Sequence, residues 1–223
     1  MASWGLRNSM NILIMGGPGA GKGTMSKKIV EKFGVLHIST GDIFRSEVGK
    51  QTPLGLEAKK YMDQGKLVPD EVTNPMVKSF IEKQDIKNGY LLDGYPRTLA
   101  QAQAFDQLVK DSDLEIDKVL TLEIPFEKLA KRITGRRLCK GCDAIYHMDY
   151  HPPKVVDVCD VCGSELYQRK DDTIESLSVR LEEYSMNAKP ILEYYDDKVI
   201  TINADQNAED VWNDILSTLG GKE

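Results

Sequence analysis

The sequence predicts an α/β fold in which a five-stranded parallel sheet is flanked by helices. The first indication is that short apolar runs alternate along the chain with segments of helical periodicity. The second is size and composition, because 223 residues with 41% hydrophobic content can bury one substantial core. In such a sheet the C-terminal ends of the strands meet at one edge, and we expect ligands to bind there.

Five apolar runs are the predicted strands, at residues 11–15, 35–38, 90–92, 119–124 and 199–202. Helical periodicity predicts helices at residues 22–33, 56–64, 74–84, 98–110, 126–134, 172–195 and 208–219. This alternation is typical of parallel strands with helices packed on both faces of the sheet.

Two segments interrupt the alternation, and we predict that both are inserted subdomains. Residues 39–68 are helical but form an unusually long crossover between two strands, whereas residues 135–172 are rich in Gly, Pro, Cys and Asp with weak β-like patches. The remaining residues, 1–38, 69–134 and 173–223, are then the core domain.

The formal net charge of −6 and the pI of about 5.2 argue against a surface that binds nucleic acid, which needs positive charge. The start of the chain lacks the features of a signal peptide, and no stretch approaches the roughly 20 apolar residues that span a bilayer. We therefore expect a cytoplasmic monomer without nucleic-acid or membrane partners. Residues 1–10 are predicted to be an irregular extension, in which we find no role for Trp4.

A glycine-rich string, GGPGAGK at residues 16–22, follows a predicted strand and opens a predicted helix. In that context glycines let consecutive backbone N–H groups curl around an anion, and a lysine adds a point charge. The string therefore predicts a phosphate site and a P-loop NTPase-like sheet. The candidate phosphate contacts are Gly19, Ala20, Gly21, Lys22, Gly23 and Thr24.

The residue after Lys22 narrows the class of protein, since many P-loop proteins place a Mg²⁺-binding Ser or Thr there. Here Gly23 takes that position and Thr24 follows. The full string GGPGAGKGT resembles the loop of nucleoside monophosphate kinases, whose typical form is GxPGxGKGT. A GTPase is disfavoured, because the sequence contains no N-K-x-D guanine signature.

Two further motifs extend the resemblance over nearly the whole chain, and they are those of adenylate kinases. The string STGD at residues 39–42, followed by Arg45, resembles STGDxxR. The string LLDGYPRT at residues 91–98 resembles LLDGFPRT, with the aromatic ring of Tyr95 in place of Phe. Gln101 matches the glutamine that reads the AMP base in that family, where one carboxamide both donates and accepts.

The resemblance implies an enzyme that transfers a phosphoryl group between ATP and AMP to give ADP. Residues 39–68 would be its NMP-binding subdomain, with Arg45 and Arg97 on the AMP phosphate, because guanidinium groups pair bidentately with phosphate. Asp93 would orient the Mg²⁺ that accompanies ATP, or it is only a turn or capping aspartate. The implied AMP contacts are Thr40, Arg45, Lys66, Leu67, Val68, Gly94, Tyr95, Pro96, Arg97, Gln101, Arg169 and Arg180.

Four cysteines fall in the second insert as Cys139-x2-Cys142 and Cys159-x2-Cys162. Each CxxC pair can supply two thiolates to one tetrahedral ion, so the spacing predicts a structural zinc site in a zinc-ribbon-like lid at residues 135–172. Two disulfides are the alternative, which a reducing cytoplasm disfavours. His147 and His151 are predicted to be surface residues, because four thiolates already complete the coordination shell.

Arginines bracket this lid in patterns that resemble the RxxGRR and RxDD motifs of the family. Closure of the lid would bring three of them onto the phosphates, and the implied catalytic set is Lys22, Arg97, Arg136, Arg169 and Arg180. By the same resemblance the ATP adenine would contact Arg132, Ile145 and Tyr146, with a weaker contact from Gln206.

Three questions stay open at the level of the sequence. Asp171 and Asp172 are either a salt-bridge network at the hinge or a solvated acidic pair. The preference for AMP over UMP or CMP rests on Thr40 and Gln101, so a kinase for another nucleoside monophosphate is an alternative. A second alternative function is a zinc-ribbon module that binds nucleic acid or another protein and contains a nucleotide switch. The acidic net charge disfavours this alternative.

Overall fold

The computed structural model describes residues 9–110 and 112–220. The predicted extension at residues 1–10 lies outside the described residues except for its last two, and Met10 already belongs to the first strand. The strands are β1 (Met10–Gly16), β2 (Leu36–Ser39), β3 (Gly89–Asp93), β4 (Lys118–Glu123), β5 (Arg136–Cys139), β6 (Ile145–His147), β7 (Leu166–Tyr167) and β8 (Val199–Asn203). The α-helices are α1 (Lys22–Phe33), α2 (Thr40–Gly49), α3 (Pro53–Met62), α4 (Asp70–Ile81), α5 (Leu99–Val109), α6 (Phe126–Thr134), α7 (Ile174–Tyr194) and α8 (Ala208–Leu219).

The five predicted strands form one parallel sheet in the order β2-β3-β1-β4-β8. The strand β1 lies at the centre, where it pairs with β3 and β4, because its side chains are apolar on both faces. Ile12 and Leu13 are fully buried, and Ile14 is 1% exposed. The predicted fold class is confirmed.

Alternate residues of β1 supply two apolar layers, one on each face of the sheet, as the period of a strand requires. Ile12 and Ile14 pack in a cluster that contains Ile29 of α1 and Ile215 of α8. Leu13 packs on the opposite face, in a cluster built largely by α5 and α7. The sheet is therefore held between helices, and its C-terminal edge is left for the loops.

The helix α4 differs most from its prediction, because it begins at Asp70 rather than at residue 74 and ends at Ile81. Asp70 and Glu71 in its first turn interact favourably with the helix dipole, and Pro75 lies inside the helix. Thr98 and Thr173 are N-caps of α5 and α7 rather than helical residues. Within the described ranges, no helix is both long and apolar enough to cross a membrane.

The two interrupting segments contain their own packed elements. Residues 39–68 include α2 and α3, and a small cluster formed by Phe44, Ala58 and Val68 joins them to α4. Residues 135–172 contain an antiparallel sheet in the order β6-β5-β7, which the weak β-like patches had indicated. Whether these segments move as separate subdomains stays a prediction.

The close approach of α3 to α2 depends on a glycine. A Cβ on Gly55 would lie 2.3 Å from the backbone of Glu47, whereas one on Gly49, also helical, would meet nothing within 4 Å. We expect Gly55→Ala to lower the free energy of unfolding by about 1–3 kcal/mol through overpacking. Urea denaturation measures the change.

Gly49→Ala is the matched control, since the same added methyl group meets no obstacle there. We expect it to be neutral or stabilising by up to about 1 kcal/mol. Equal effects of the two substitutions would show that the contact between α2 and α3 does not require the glycine.

Candidate active site

The glycine-rich string forms the turn between β1 and α1, and α1 begins at Lys22 as predicted. Gly21 caps this helix with a φ of 98°, a left-handed conformation that favours glycine. The first two N–H groups of α1, those of Lys22 and Gly23, have no carbonyl partner inside the helix, so they can bind an anion. The Thr24 N–H donates to the Gly21 carbonyl at 3.1 Å. The Lys22 Nζ folds back over the loop and donates to the carbonyl oxygens of Gly16, at 2.6 Å, and Gly17, at 3.1 Å.

The turn after β3 brings residues of two predicted motifs into contact. Gly94 has a φ of 79°, and a Cβ there would lie 3.0 Å from Arg97 Nη2 and 3.1 Å from Thr40 Oγ1. Thr40 Oγ1 and Arg97 Nε each donate to the Gly94 carbonyl at 2.7 Å. Only glycine therefore fits where Thr40 and Arg97 converge.

These two turns line the same cavity, of about 90 Å³. Side chains of Lys22, Leu67, Arg97 and Arg180 contribute to its wall, so the P-loop, the insert at residues 39–68 and α7 all reach it. A larger cleft of about 930 Å³ lies between α6, α7 and the ends of β4 and β8. The small cavity is the candidate site, because it is the one that combines phosphate-binding backbone with cationic side chains.

Asp93 ends β3 inside this site. Ser26 Oγ lies 3.4 Å from Asp93 Oδ2, and His37 Nε2 lies 3.8 Å from the same oxygen, beyond hydrogen-bond distance. Burial acts to raise the pKa of Asp93, but neighbouring His37 and Lys22 outweigh it, and the pKa is lowered. Asp93 is thus a charged carboxylate beside the P-loop lysine.

Crowding among cations is the main electrostatic property of the site. Burial, followed by repulsion from Arg97, Arg180 and Arg136, lowers the pKa of Lys22 to about 8, although Asp93 acts in the opposite direction. Burial and the proximity of further arginines also lower the pKa of Arg97 and of Arg180. So many positive groups around one cavity are favourable only when an anion neutralises them.

The arginines that bracket the lid converge on this cluster. Arg136 is paired with Asp172 through two hydrogen bonds, and the Arg180 Nη1 donates to Asp171 Oδ2 at 3.1 Å. Asp172 is 1% exposed, so of the two readings of the acidic pair the salt-bridge network is confirmed. It ties β5 and α7 to the chain segment between them.

Arg169 is the least satisfied of these cations. Its Nε is buried and has no hydrogen-bond partner within residues 9–110 and 112–220. Burial, with repulsion from Arg45 and Arg136, lowers the pKa of Arg169 to about 10. A buried guanidinium without a full set of acceptors is costly, and phosphate oxygens would supply the missing ones.

The other predicted AMP contacts lie partly in the cavity wall and partly outside it. Arg45 is paired with Asp42 at the start of α2, Val68 is buried, and Lys66 is exposed. The remaining members that line the cavity are Leu67, Gly94, Tyr95 and Pro96.

The predicted adenine contacts of ATP separate into two groups. Arg132 donates to the Ala204 carbonyl at 3.0 Å, close in the chain to Gln206, whose amide donates to Asp214. Ile145 faces the P-loop helix, since its Cδ1 lies 3.4 Å from the Cβ position of Gly23. The ring of Tyr146 points to the other face of β6.

Tyr146 is therefore part of the lid interior. It is 3% exposed, and it clusters with Cys139, Cys159 and Leu166. Adjacent residues of a strand face opposite sides, so Ile145 and Tyr146 cannot both face the P-loop. The Tyr146 ring therefore packs inside the lid, and a contact of the Ile145-Tyr146 pair with the ATP adenine stays a prediction.

All four cysteine Sγ atoms lie within 4.8 Å of one another, with 3.3 Å between Cys139 and Cys162 and 3.6 Å between Cys142 and Cys159. A tetrahedral ion with bonds of 2.3 Å to sulfur requires separations of about 3.8 Å, so the cluster fits such an ion. His147 and His151 lie outside it, His151 exposed and His147 half-buried with its Nε2 3.0 Å from the Lys131 carbonyl.

Hydrogen bonds prepare the cysteine cluster for a cation. The Tyr146 hydroxyl lies 3.4 Å from Cys159 Sγ, and this contact, against the effect of burial, lowers the pKa of Cys159 to about 6. The Ala144 amide acts to lower the pKa of Cys142, but hydrogen bonds with the neighbouring thiols raise it to about 12. Thiols this close share protons among themselves, and a metal ion that bound to them would displace those protons.

Sequence reasoning missed several residues that contact the site. His37 and Ser26 approach Asp93, and Asp70 binds the side chain of Gln101. Tyr146 was named as an adenine contact, but its contact with Cys159 was not foreseen. None of these contacts follows a local pattern. Only the pairing of β2 with β3 could have indicated that His37 lies near the end of β3.

Comparisons with known proteins establish the family of this chain. Residues 14–200 match the family model described as adenylate kinase. An adenylate kinase of Clostridium botulinum (strain Loch Maree / Type A3) is 49% identical over 95% of this chain and 99% of its own length. One of Staphylococcus epidermidis is 50% identical over 94% and 99%, and one of Bacillus licheniformis is 48% identical over 96% and 100%. The chain belongs to the adenylate kinase family.

Proposed function

We propose that this chain catalyses the reversible transfer of a phosphoryl group from ATP to AMP, giving two molecules of ADP. The observation that carries the proposal is that Lys22, Arg97 and Arg180 line one cavity from separate elements. There, burial and repulsion from Arg97, Arg180 and Arg136 lower the pKa of Lys22 to about 8. Such a cluster is suited to the charge that spreads over phosphoryl oxygens during transfer. The three relatives described above carry the name of this activity.

The chain needs no general base for this reaction, because the attacking AMP phosphate is already anionic at neutral pH. Its residues instead align the two nucleotides and neutralise charge. Arg45 and Arg97 hold the AMP phosphate, while Lys22 and the amides of residues 19–24 hold the ATP phosphates. Arg136, Arg169 and Arg180 surround the transferring group, and closure of the two inserts excludes water from it.

Two metal ions belong to this proposal. The Asp93 carboxylate would help to hold the Mg²⁺ that accompanies ATP, and this ion would supply neutralisation of phosphate charge. The four cysteines would hold Zn²⁺ with a complete set of four thiolates, which would leave no position for a reacting water. The zinc would therefore be structural. We also propose that the protein is a cytoplasmic monomer with residues 39–68 and 135–172 as its moving parts.

A coupled assay of ADP formation from ATP and each of AMP, UMP, CMP and GMP tests the proposal. We expect AMP to be the best acceptor, and we expect Arg97→Ala to lower kcat/KM by about 10²- to 10³-fold, since an interaction with the transferring charge is lost. Lys83→Ala, which removes an exposed cation outside the site, is the control. A pyrimidine acceptor better than AMP would establish the alternative kinase specificity.

Nucleotide binding should take up a proton above neutral pH. In the free protein the pKa of Lys22 is about 8, and bound phosphates raise it, so the protonated form is favoured in the complex. Uptake is negligible well below pH 8 and grows as the pH rises through 8. At pH 8.5 we expect about 0.7 proton per MgATP bound.

Calorimetry in two buffers of different ionisation enthalpy measures this uptake. Lys22→Gln should abolish it, whereas Lys28→Gln on the outer part of the same helix should leave it unchanged. Equal uptake in wild type and Lys22→Gln would assign the proton to another group.

Loss of the zinc should lower the melting temperature of the protein more than it lowers the rate of turnover. The lid has only a small apolar cluster of its own, so we expect chelation or Cys142→Ser to lower Tm by about 5–10 °C, while turnover at moderate temperature changes less. Differential scanning calorimetry and metal analysis give Tm and zinc content. Chelator added to Cys142→Ser should cause no further change. An unchanged melting curve after complete metal removal would contradict a structural role.

A further inference from the structure

The carboxamide of Gln101 lies between two groups that can each play only one hydrogen-bonding role. The Arg97 backbone N–H donates to Oε1 at 2.7 Å, and Nε2 donates to Asp70 Oδ1 at 2.6 Å. An amide N–H cannot accept, and a carboxylate that accepts at both oxygens cannot donate. If the amide turned over, Nε2 would face the N–H of Arg97 and Oε1 would face Asp70, so both contacts would become repulsive.

The contacts leave a defined pair of hydrogen-bonding positions. A primary amide has two N–H groups and two oxygen lone pairs, and one of each is used by Asp70 and Arg97. The second lone pair of Oε1 and the second N–H of Nε2 are therefore held side by side in one order, and their positions cannot be exchanged. Gln101 is only 2% exposed, so the side chain has little room to swing into another orientation.

That order matters for the choice of base. Adenine offers an N6–H donor next to a ring-nitrogen acceptor, which matches a free lone pair on Oε1 and a free N–H on Nε2. Hypoxanthine and guanine carry the O6 acceptor in place of the N6 amino group and a protonated N1. Against a fixed carboxamide, O6 would face Oε1, and two acceptors would be left without a proton between them.

Asp70 is placed to act on Gln101 from outside the predicted motifs. It is the first residue of α4 and follows the predicted AMP contacts at residues 66–68 by two positions. Its second carboxylate oxygen accepts from Thr98 Oγ1 at 3.2 Å, and Thr98 Oγ1 in turn accepts from the Gln101 N–H at 3.1 Å. One carboxylate therefore holds both the side chain of Gln101 and the N-cap of its helix.

We propose that Asp70 is a specificity-determining positioning residue, which favours AMP over 6-oxopurine monophosphates by fixing the direction of the Gln101 carboxamide. The proposal rests on the proposed function, because it assumes that Gln101 contacts the acceptor base. Asp70 itself acts through Gln101. Its carboxylate differs from an amide or a hydroxyl in that it can only accept.

The test compares kcat/KM for AMP and for IMP, with ATP as donor, in wild type and four variants. Asp70→Asn keeps the shape but can donate, and Asp70→Ser keeps a polar group that suits a helix N-terminus. In both we expect the ratio of AMP to IMP efficiency to fall about tenfold, mainly through KM, because a hydrogen bond to a charged group is lost. Glu71→Gln removes an exposed charge from the same turn and should leave the ratio unchanged.

The fourth variant separates positioning from stability. Thr98→Ala removes the N-cap of α5 but keeps the contact between Asp70 and Gln101, so we expect a lower Tm with an unchanged ratio. Proportional losses of AMP and IMP activity in both Asp70 variants would overturn the proposal. Wild type that phosphorylates neither nucleotide would instead contradict the proposed function, and the two failures are thus distinguishable.

Discussion

The burial of several mutually repelling cations is the constraint on which the rest of the cleft depends. Burial, with repulsion from Arg97, Arg180 and Arg136, lowers the pKa of Lys22 to about 8. Burial, with repulsion from Arg45 and Arg136, lowers the pKa of Arg169 to about 10. Asp171 and Asp172 offset part of this charge, and Asp93 offsets part of that on Lys22. The remainder makes an anion the natural occupant, so the same electrostatic cost that destabilises the empty cleft becomes binding energy for phosphates.

The lid shows how a small subdomain can carry part of this charge. Its own apolar cluster contains Tyr146 and Leu166 besides two of the cysteines, which is too little to hold a three-stranded sheet. The four cysteines are positioned to bind a metal ion, which would replace the missing core. The sheet then holds Arg136 on β5, where Asp172 orients its guanidinium. The candidate metal site and the charge of the cleft are therefore linked through one short strand, which carries both Cys139 and Arg136.

Much of the architecture could be predicted because its signals are local. Apolar runs marked all five strands of the main sheet, and the spacing of the cysteines indicated their convergence. The start of α4 was predicted four residues too late. The first turn of this helix is acidic and precedes Pro75, a residue that is usual only at the start of a helix. The orientation of Tyr146 was missed because neighbouring residues of a strand face opposite sides, and three residues give no clear periodicity.

The sequence by itself determined the class of fold, the P-loop, the positions of the cationic residues and the four candidate metal ligands. Each depends on residues that are close in the chain, where spacing and residue type suffice. Tertiary structure alone decided that Asp172 binds Arg136, that Tyr146 faces the cysteines and that Asp70 holds Gln101. These contacts join residues 13 to 36 positions apart, because packing of whole elements brings them together and no local pattern records which side chains then meet.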